Sequence, residues 1–169
     1  MDIVVLDSNA DPEEIKDYIV NHHNSNRFTL EPIPRKKWGI LWFNLHWGRG
    51  LRCKVDIIVT GRNTKLQIPK MPKHHIAYLY DIPVAPFLVL LILKVQGWRD
   101  RSLNSYWNKV ARDRGDIDRL LGMTDENDHL DYFSRYPKWF LRNAEELVGL
   151  YTEWYPNKAF LFRRLGFDV

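Results

Sequence analysis

The chain has 169 residues and a mass of 20.2 kDa, with 45% hydrophobic and 27% charged residues, the size and mix of one globular domain. Aromatic residues reach 14%, with seven Trp, enough to build a core, and this excludes disorder along the whole length. The single cysteine, Cys53, excludes an internal disulfide and a cysteine-rich zinc site and points to a reducing compartment, cytoplasmic or nuclear.

The first element expected is a short apolar strand, Ile3 to Leu6, with no basic stretch before it of the kind that opens a signal peptide. Asp11-Pro12-Glu13-Glu14 then reads as a helix start: a capping Asp, a Pro in the first turn and acids at the positive end of the dipole. That helix runs to about His22, burying Ile15, Tyr18 and Ile19, and a polar turn follows from Asn21 to Asn26. Phe28 to Ile33, Gly39 to Leu45 and Leu51 to Val59 alternate as three strands of an antiparallel meander, with Gly48-Arg49-Gly50 at a hairpin tip. Thr60 to Lys73 reads as an exposed loop and Ile76 to Tyr80 as a short extended piece.

From Pro86 onward the pattern is helical. Ile82 to Val95 is the longest apolar run, but Pro83, Pro86 and Lys94 interrupt it, and it is shorter than the ~20 apolar residues a membrane span needs. It reads as the approach to a core helix, Pro86 to Trp98, so no membrane partner is expected. Arg112 to Leu121 forms a shorter helix stopped at Gly122, and Asp128 to Phe133, Lys138 to Trp154 and Asn157 to Leu165 complete the series. The fold class expected is therefore α+β within one domain, residues 1–169: a mixed or antiparallel sheet over 1–80 with a helical half, 84–166, packed on it.

Charge is unevenly spread along the chain. The net charge is +4, yet residues 27–73 hold eleven Lys and Arg against Glu31 and Asp56 alone, while 74–169 balance at thirteen of each sign. Arg35, Lys36, Lys37, Arg49, Arg52, Arg62, Lys65, Lys70 and Lys73 alternate with Trp38, Trp42 and Trp47, a mixture able to hold single-stranded nucleic acid by charge and stacking. The plainer reading is a solvated surface over core tryptophans, which the neighbouring Leu41 and Phe43 favour. Cys53 shares the apolar face of its strand with Val55 and Ile57, so a buried, inert thiol is expected. No P-loop, nucleophile elbow or His-Glu-x-x-His motif is present.

The segment Lys54-Val55-Asp56-Ile57-Ile58-Val59 carries the most chemical information. A carboxylate there interrupts an apolar strand, pointing away from Val55, Ile57 and Val59, and such a placement costs strand propensity and desolvation unless the acid binds something. Asp2 opens the first strand in the same way. Brought together across a sheet, two such acids make a hard-oxygen site suited to Mg²⁺ with a nucleotide phosphate. The competing reading of Asp56 is a surface pair with a Lys or Arg.

The order Asp2-Ile-Val-Val-Leu, Gly39-Ile-Leu-Trp-Phe, Cys53-Lys-Val-Asp-Ile-Ile-Val, Ile82-Pro-Val-Ala-Pro leading to Lys94-Val-Gln-Gly-Trp, Asp113-Arg-Gly-Asp-Ile-Asp-Arg-Leu-Leu and the closing Arg164-Leu-Gly-Phe resembles fungal nucleotidyltransferase-like proteins. That group is related to the bacterial abortive-infection and toxin-type nucleotidyltransferases. In the family, a helix bearing Gly-Ser precedes a strand with an Asp-x-Asp pair, and a third acid lies on a later strand. The resemblance implies that Asp2 is the second acid and Asp56 the third, both catalytic and both metal ligands. The Gly-Ser helix has no counterpart in this sequence, and the first acid would precede Met1. The resemblance further implies an NTP substrate with Mg²⁺, a phosphate role for Lys94, and a later helix acid at Asp113 or Asp116, with Asp116 orienting the base or the lysine.

Against these roles stand a snorkelling stem for Lys94 and helix capping for Asp113 and Asp116. Arg99 and Arg101 read either as phosphate binders or as surface partners of acids such as Asp100. Two functions are thus in contention. One is nucleotide transfer from NTP-Mg to a hydroxyl of RNA, a small molecule or a protein. The other is a catalytically inactive relative acting as a protein- or RNA-binding module. Loss of the family's first helix would leave apolar surface at Ile3 to Leu6 and Pro86 to Trp98, so a homodimer is expected.

Overall fold

The computed structural model describes residues 1–7, 9–22, 27–45, 50–124 and 135–169. The fold is mixed α and β, with a four-stranded sheet in the first half and helices in the second. The chain forms two compact units, Met1–Lys65 and Leu66–Val169.

In the first unit, β1 (Asp2–Val5) leads to α1 (Pro12–His22) and then to β2 (Phe28–Pro32), β3 (Gly39–Asn44) and β4 (Arg52–Val59). The strand order is β1-β4-β3-β2. The meander expected from alternation is present: β2 and β3 pair antiparallel through Leu30↔Leu41, and β3 and β4 through Leu41↔Val55. β1 crosses back to pair parallel with β4. Leu41, Val55 and Ile57 make the buried centre, covered by Ile3, Val5, Ile15, Ile19, Val20, Phe28, Leu30 and Phe43.

α1 begins as its sequence dictates, the Asp11 Oδ1 accepting the Glu13 N–H at 2.8 Å. The Glu13 carboxylate accepts the Gly39 N–H at 3.1 Å, and Lys16 Nζ donates to the Gly39 carbonyl at 2.9 Å, fastening the helix to the start of β3. Gly39 is required there, because a Cβ would lie 2.9 Å from Leu30 Cδ1 and 3.1 Å from the Glu31 carbonyl. Tyr18 corrects the expected buried stripe: it is exposed and stacks on His22, while Val20 joins the core instead. Cys53 is half-buried and not fully enclosed, lying between exposed Arg52 and Lys54 at the start of β4. The Gly48-Arg49-Gly50 tip lies partly outside the described residues, but its hairpin is closed by Leu45 N–H donating to the Leu51 carbonyl at 2.9 Å.

In the second unit, a 3-10 turn (Lys73–His75) precedes a hairpin of β5 (Ala77–Leu79) and β6 (Ile82–Val84), followed by α2 (Phe87–Leu103), α3 (Trp107–Gly122), α4 (Lys138–Trp154), a 3-10 turn (Pro156–Lys158) and α5 (Ala159–Arg164). The segment expected to be an exposed loop, Thr60 to Lys73, buries Ile68, Pro69 and Met71 in this unit, apolar anchors that composition alone had hidden among lysines and prolines, and Thr60 in the first unit. α2 buries Leu88, Val89, Leu91, Ile92, Val95, Gln96 and Trp98, nearly every side of its first three turns. α3 and α4 pack against it through Val110, Ile117 and Leu121 and through Phe140, Ala144, Leu147, Val148 and Tyr151.

α2 runs five residues beyond Trp98, and α3 starts five residues before Arg112. The end of α2 explains the miss. Tyr106 N–H donates to the Arg101 carbonyl at 3.0 Å and Ser105 N–H to the Ser102 carbonyl at 3.2 Å, a Schellman closure with Ser105 at φ 59° where glycine is usual. The closing Leu165-Gly166-Phe167 is the glycine version of the same device. Gly166 has φ 93°, Phe167 N–H reaches back to the Phe162 carbonyl at 3.1 Å, and the rings of Phe162 and Phe167 meet at 6.0 Å. The helix expected at Asp128 to Phe133 lies outside the described residues. Among the described residues no helix is long and apolar enough to cross a membrane.

Candidate functional site

The sheet unit places Asp2 and Asp56 side by side. They are register partners in the parallel β1–β4 ladder, held by Asp56 N–H donating to the Met1 carbonyl at 2.9 Å. Directly opposed residues in adjacent strands project from the same face. Val55 and Ile57 take the core, so the two carboxylates stand on the opposite, solvated face.

Lys54, two residues from Asp56 on the same strand, shares that face. Its Nζ contacts both Asp56 oxygens, at 2.7 and 3.0 Å, with both side chains about half exposed, 52% and 49%. The surface pair that competed with a metal role is therefore formed. An exposed pair of this kind contributes at most ~1 kcal/mol, so a ligand can displace the amine. The Lys-Val-Asp spacing would have named Lys54 as a member of the cluster, because alternate strand residues share a face.

Asp2 and Asp56 present two carboxylates on that face. Mg²⁺ is commonly held by one or two carboxylates with the remaining positions filled by water and substrate phosphates, and the pair fits an ion that arrives with a nucleotide. It does not fit a cage made by protein alone: among the described residues no three His, Cys, Asp or Glu are grouped to hold an ion.

Further along the same face, Trp42 of the basic stretch is engaged within the sheet unit. Trp42 Nε1 donates to Glu31 at 2.7 Å, Arg52 pairs with Glu31 at 2.9 Å, and the Arg52 guanidinium lies 4.0 Å over the Trp42 ring. Trp38 is half-exposed, and Trp47 and Arg49 lie outside the described residues.

Within the helical unit, Lys94 meets Asp116 and Arg101 meets Asp113 across the α2–α3 contact. Lys94 Nζ donates to Asp116 Oδ2 at 3.0 Å, and Arg119 contacts the other Asp116 oxygen at 3.2 Å. Two turns further along α2, Arg101 Nη1 donates to both oxygens of Asp113, whose side chain is 4% exposed. These pairs run antiparallel, Lys94 with the later acid and Arg101 with the earlier, and Gly97 between them keeps the helix surface open beside Arg101. The capping role weighed for Asp113 and Asp116 is overturned. α3 begins at Trp107, so both acids sit well inside the helix and point across to α2. Arg99 pairs with its neighbour Asp100 at 2.8 Å, as the surface reading expected.

Deeper in this unit, Tyr151 is fully buried, and its hydroxyl has no hydrogen-bond partner among the described residues. Burial pushes its pKa up, and the negative charge of Asp118 adds to the rise. Its ring packs edge-on against Trp98 at 4.9 Å, so it serves the core and not the surface chemistry. No family model matches the chain, and no curated protein or solved structure matches it.

Proposed function

We propose that the chain is a nucleotidyltransferase-like protein that binds a nucleoside triphosphate with Mg²⁺ through Asp2 and Asp56. The observation that carries this reading is the parallel register Asp2↔Asp56. It gives two strand acids, far apart in sequence, adjacent positions on one solvated face. When bound, the ion would neutralise charge on the phosphates and polarise the phosphorus under attack. Asp2 and Asp56 would hold and orient it, and Lys54, released from Asp56, would donate to a phosphate oxygen. The transfer this chemistry serves is in-line displacement at the α-phosphate. An acceptor hydroxyl of RNA, a small molecule or a protein forms the new P–O bond as the bond to pyrophosphate breaks, and the hydroxyl proton passes to solvent or base.

A binding module without transfer is the second reading, favoured by one observation: Lys54 already neutralises Asp56. Both readings carry a cytoplasmic or nuclear setting, in keeping with the lone Cys53.

The test is thermal unfolding of the chain with ATP, GTP, CTP or UTP, with and without Mg²⁺, beside Asp56→Asn. A ligand near 100 times its Kd stabilises by about 2.7 kcal/mol. The expected result is a Mg²⁺-dependent rise in Tm for at least one nucleotide, lost in Asp56→Asn. A Tm indifferent to all four removes the nucleotide reading.

The homodimer belongs to this proposal through β1, an edge strand whose Ile3, Val4 and Val5 are only half-buried. The alternative face expected from the sequence, α2, is mostly covered, with Leu90 the exposed exception. Sedimentation velocity at rising concentration is expected to show a dimer, and Val4→Lys to restore the monomer. A monomer at every concentration refutes it.

A further inference from the structure

The β5–β6 hairpin carries Tyr78, Leu79, Tyr80 and Ile82 at 65, 59, 90 and 63% exposure. Tyr80 and Asp81 form its two-residue turn, with φ 50° and 63°, the mirror-image turn that two-residue hairpins favour. Exposed rings and aliphatic side chains gathered on one hairpin mark an interaction surface. Its charge setting selects the partner. Between Asp56 and Asp81 the sequence has no acid. Lys70, Lys73 and His74 are exposed just before β5. His75 beside them is held below the ordinary imidazole range by partial burial and then by the charge of His74 and Arg135.

From this juxtaposition we propose that the hairpin and the basic turn before it bind single-stranded nucleic acid. The cations meet the phosphate backbone, and the Tyr78 and Tyr80 rings stack on bases, a mode that tolerates any sequence because every base has a flat face. A second copy of the chain fits less well, since two basic turns would be brought together. An anionic bilayer offers the same charge to the basic turn but no flat rings for the tyrosines to stack on, and vesicles separate the two in the experiment. The proposal is independent of Asp2 and Asp56. It assigns the stacking to tyrosines at the end of the basic stretch and not to the sheet tryptophans, of which Trp42 is already engaged by Glu31 and Arg52 and Trp38 is 48% exposed.

The experiment is fluorescence anisotropy with a labelled oligouridylate of about 12 nucleotides, its thymidylate counterpart and a duplex of the same length, a span within one binding platform. Wild type is expected to bind the single strands and to prefer them to duplex. The Tyr78→Ala, Tyr80→Ala double variant is expected to lose roughly tenfold or more in affinity with an unchanged Tm, both side chains being exposed, while Tyr80→Phe keeps it. Lys70→Ala with Lys73→Ala should make log affinity fall less steeply with log salt, by about 1.4 in slope for two contacts on a single strand. Asp56→Asn should bind as wild type, which separates this result from the nucleotide reading. RNA preferred to DNA, or equal binding of both, supports the proposal and tells which strand is taken. It is overturned by no binding, by duplex binding as tight as single-strand binding, by an unaffected tyrosine variant, or by sedimentation with phosphatidylserine vesicles in the absence of oligonucleotide binding.

Discussion

Phe162→Ala is expected to destabilise the helical unit by about 3–5 kcal/mol, the cost of an emptied aromatic site in a core. Phe162 is fully buried, and its ring meets Tyr151 at 5.8 Å and Phe167 at 6.0 Å. It is also the residue whose carbonyl accepts both the Leu165 and Phe167 N–H groups in the closure of α5. α5 has six residues, too few to hold as a helix without tertiary contacts, so removing the ring loosens the helix and the chain beyond it together. Urea titration should show a lower midpoint, and Phe160→Ala, on the same helix but 56% exposed, should shift it by less than about 0.5 kcal/mol. Equal losses for the two variants would mean that α5 contributes by propensity and not by packing.

Arg101→Ala is expected to cost about 2 kcal/mol, because it leaves the Asp113 carboxylate enclosed between α2 and α3 without its cation. Removing one partner of a fully buried pair costs about 3–5 kcal/mol, and the figure is reduced here because the Arg101 side chain is 41% exposed and water reaches the vacated space. Lys94→Ala is the matched comparison. Its pair with Asp116 is more open on the acid's side, 37% and 27% exposed, so the expected loss is under about 1 kcal/mol. A combined Arg101→Met, Asp113→Leu variant should recover most of the single loss, since an apolar replacement of both partners restores packing without an isolated charge. If the double variant is no more stable than Arg101→Ala, the pair is worth more than the charge it neutralises.

The meander was legible because Leu30, Leu41, Val55 and Ile57 repeat with period two between clear breaks, and α4 because Pro137 and Pro156 bracket its apolar stripe. The limits of α2 and α3 were not. α2 ends at Leu103 and is closed by Ser105, a residue that only backbone geometry marks for that place, and α3 starts at Trp107 after Tyr106, with no side-chain cap. Reading the start of α3 too late is what made Asp113 and Asp116 look like caps. In the candidate site, alternation assigned Asp56 to the solvated face, but the parallel register with Asp2 spans most of the sheet unit, and no local pattern encodes it. The hairpin was read as a single extended piece because Tyr80-Asp81 lacks the Asn-Gly signature of its turn.

The parallel pairing of β1 with β4 also sets the order in which the sheet unit is assembled. β1 lies at residues 2–5 and its partner at 52–59, so during synthesis the first strand leaves the ribosome long before the edge it needs exists. The β2–β3–β4 hairpins close short loops and can form early, whereas β1 must wait and then cross a long one, the step that dominates folding time in high-contact-order topologies. Substitutions in β1 therefore act on the late docking of that strand and on the rate at which the completed sheet opens, and leave the rate at which the meander forms nearly unchanged.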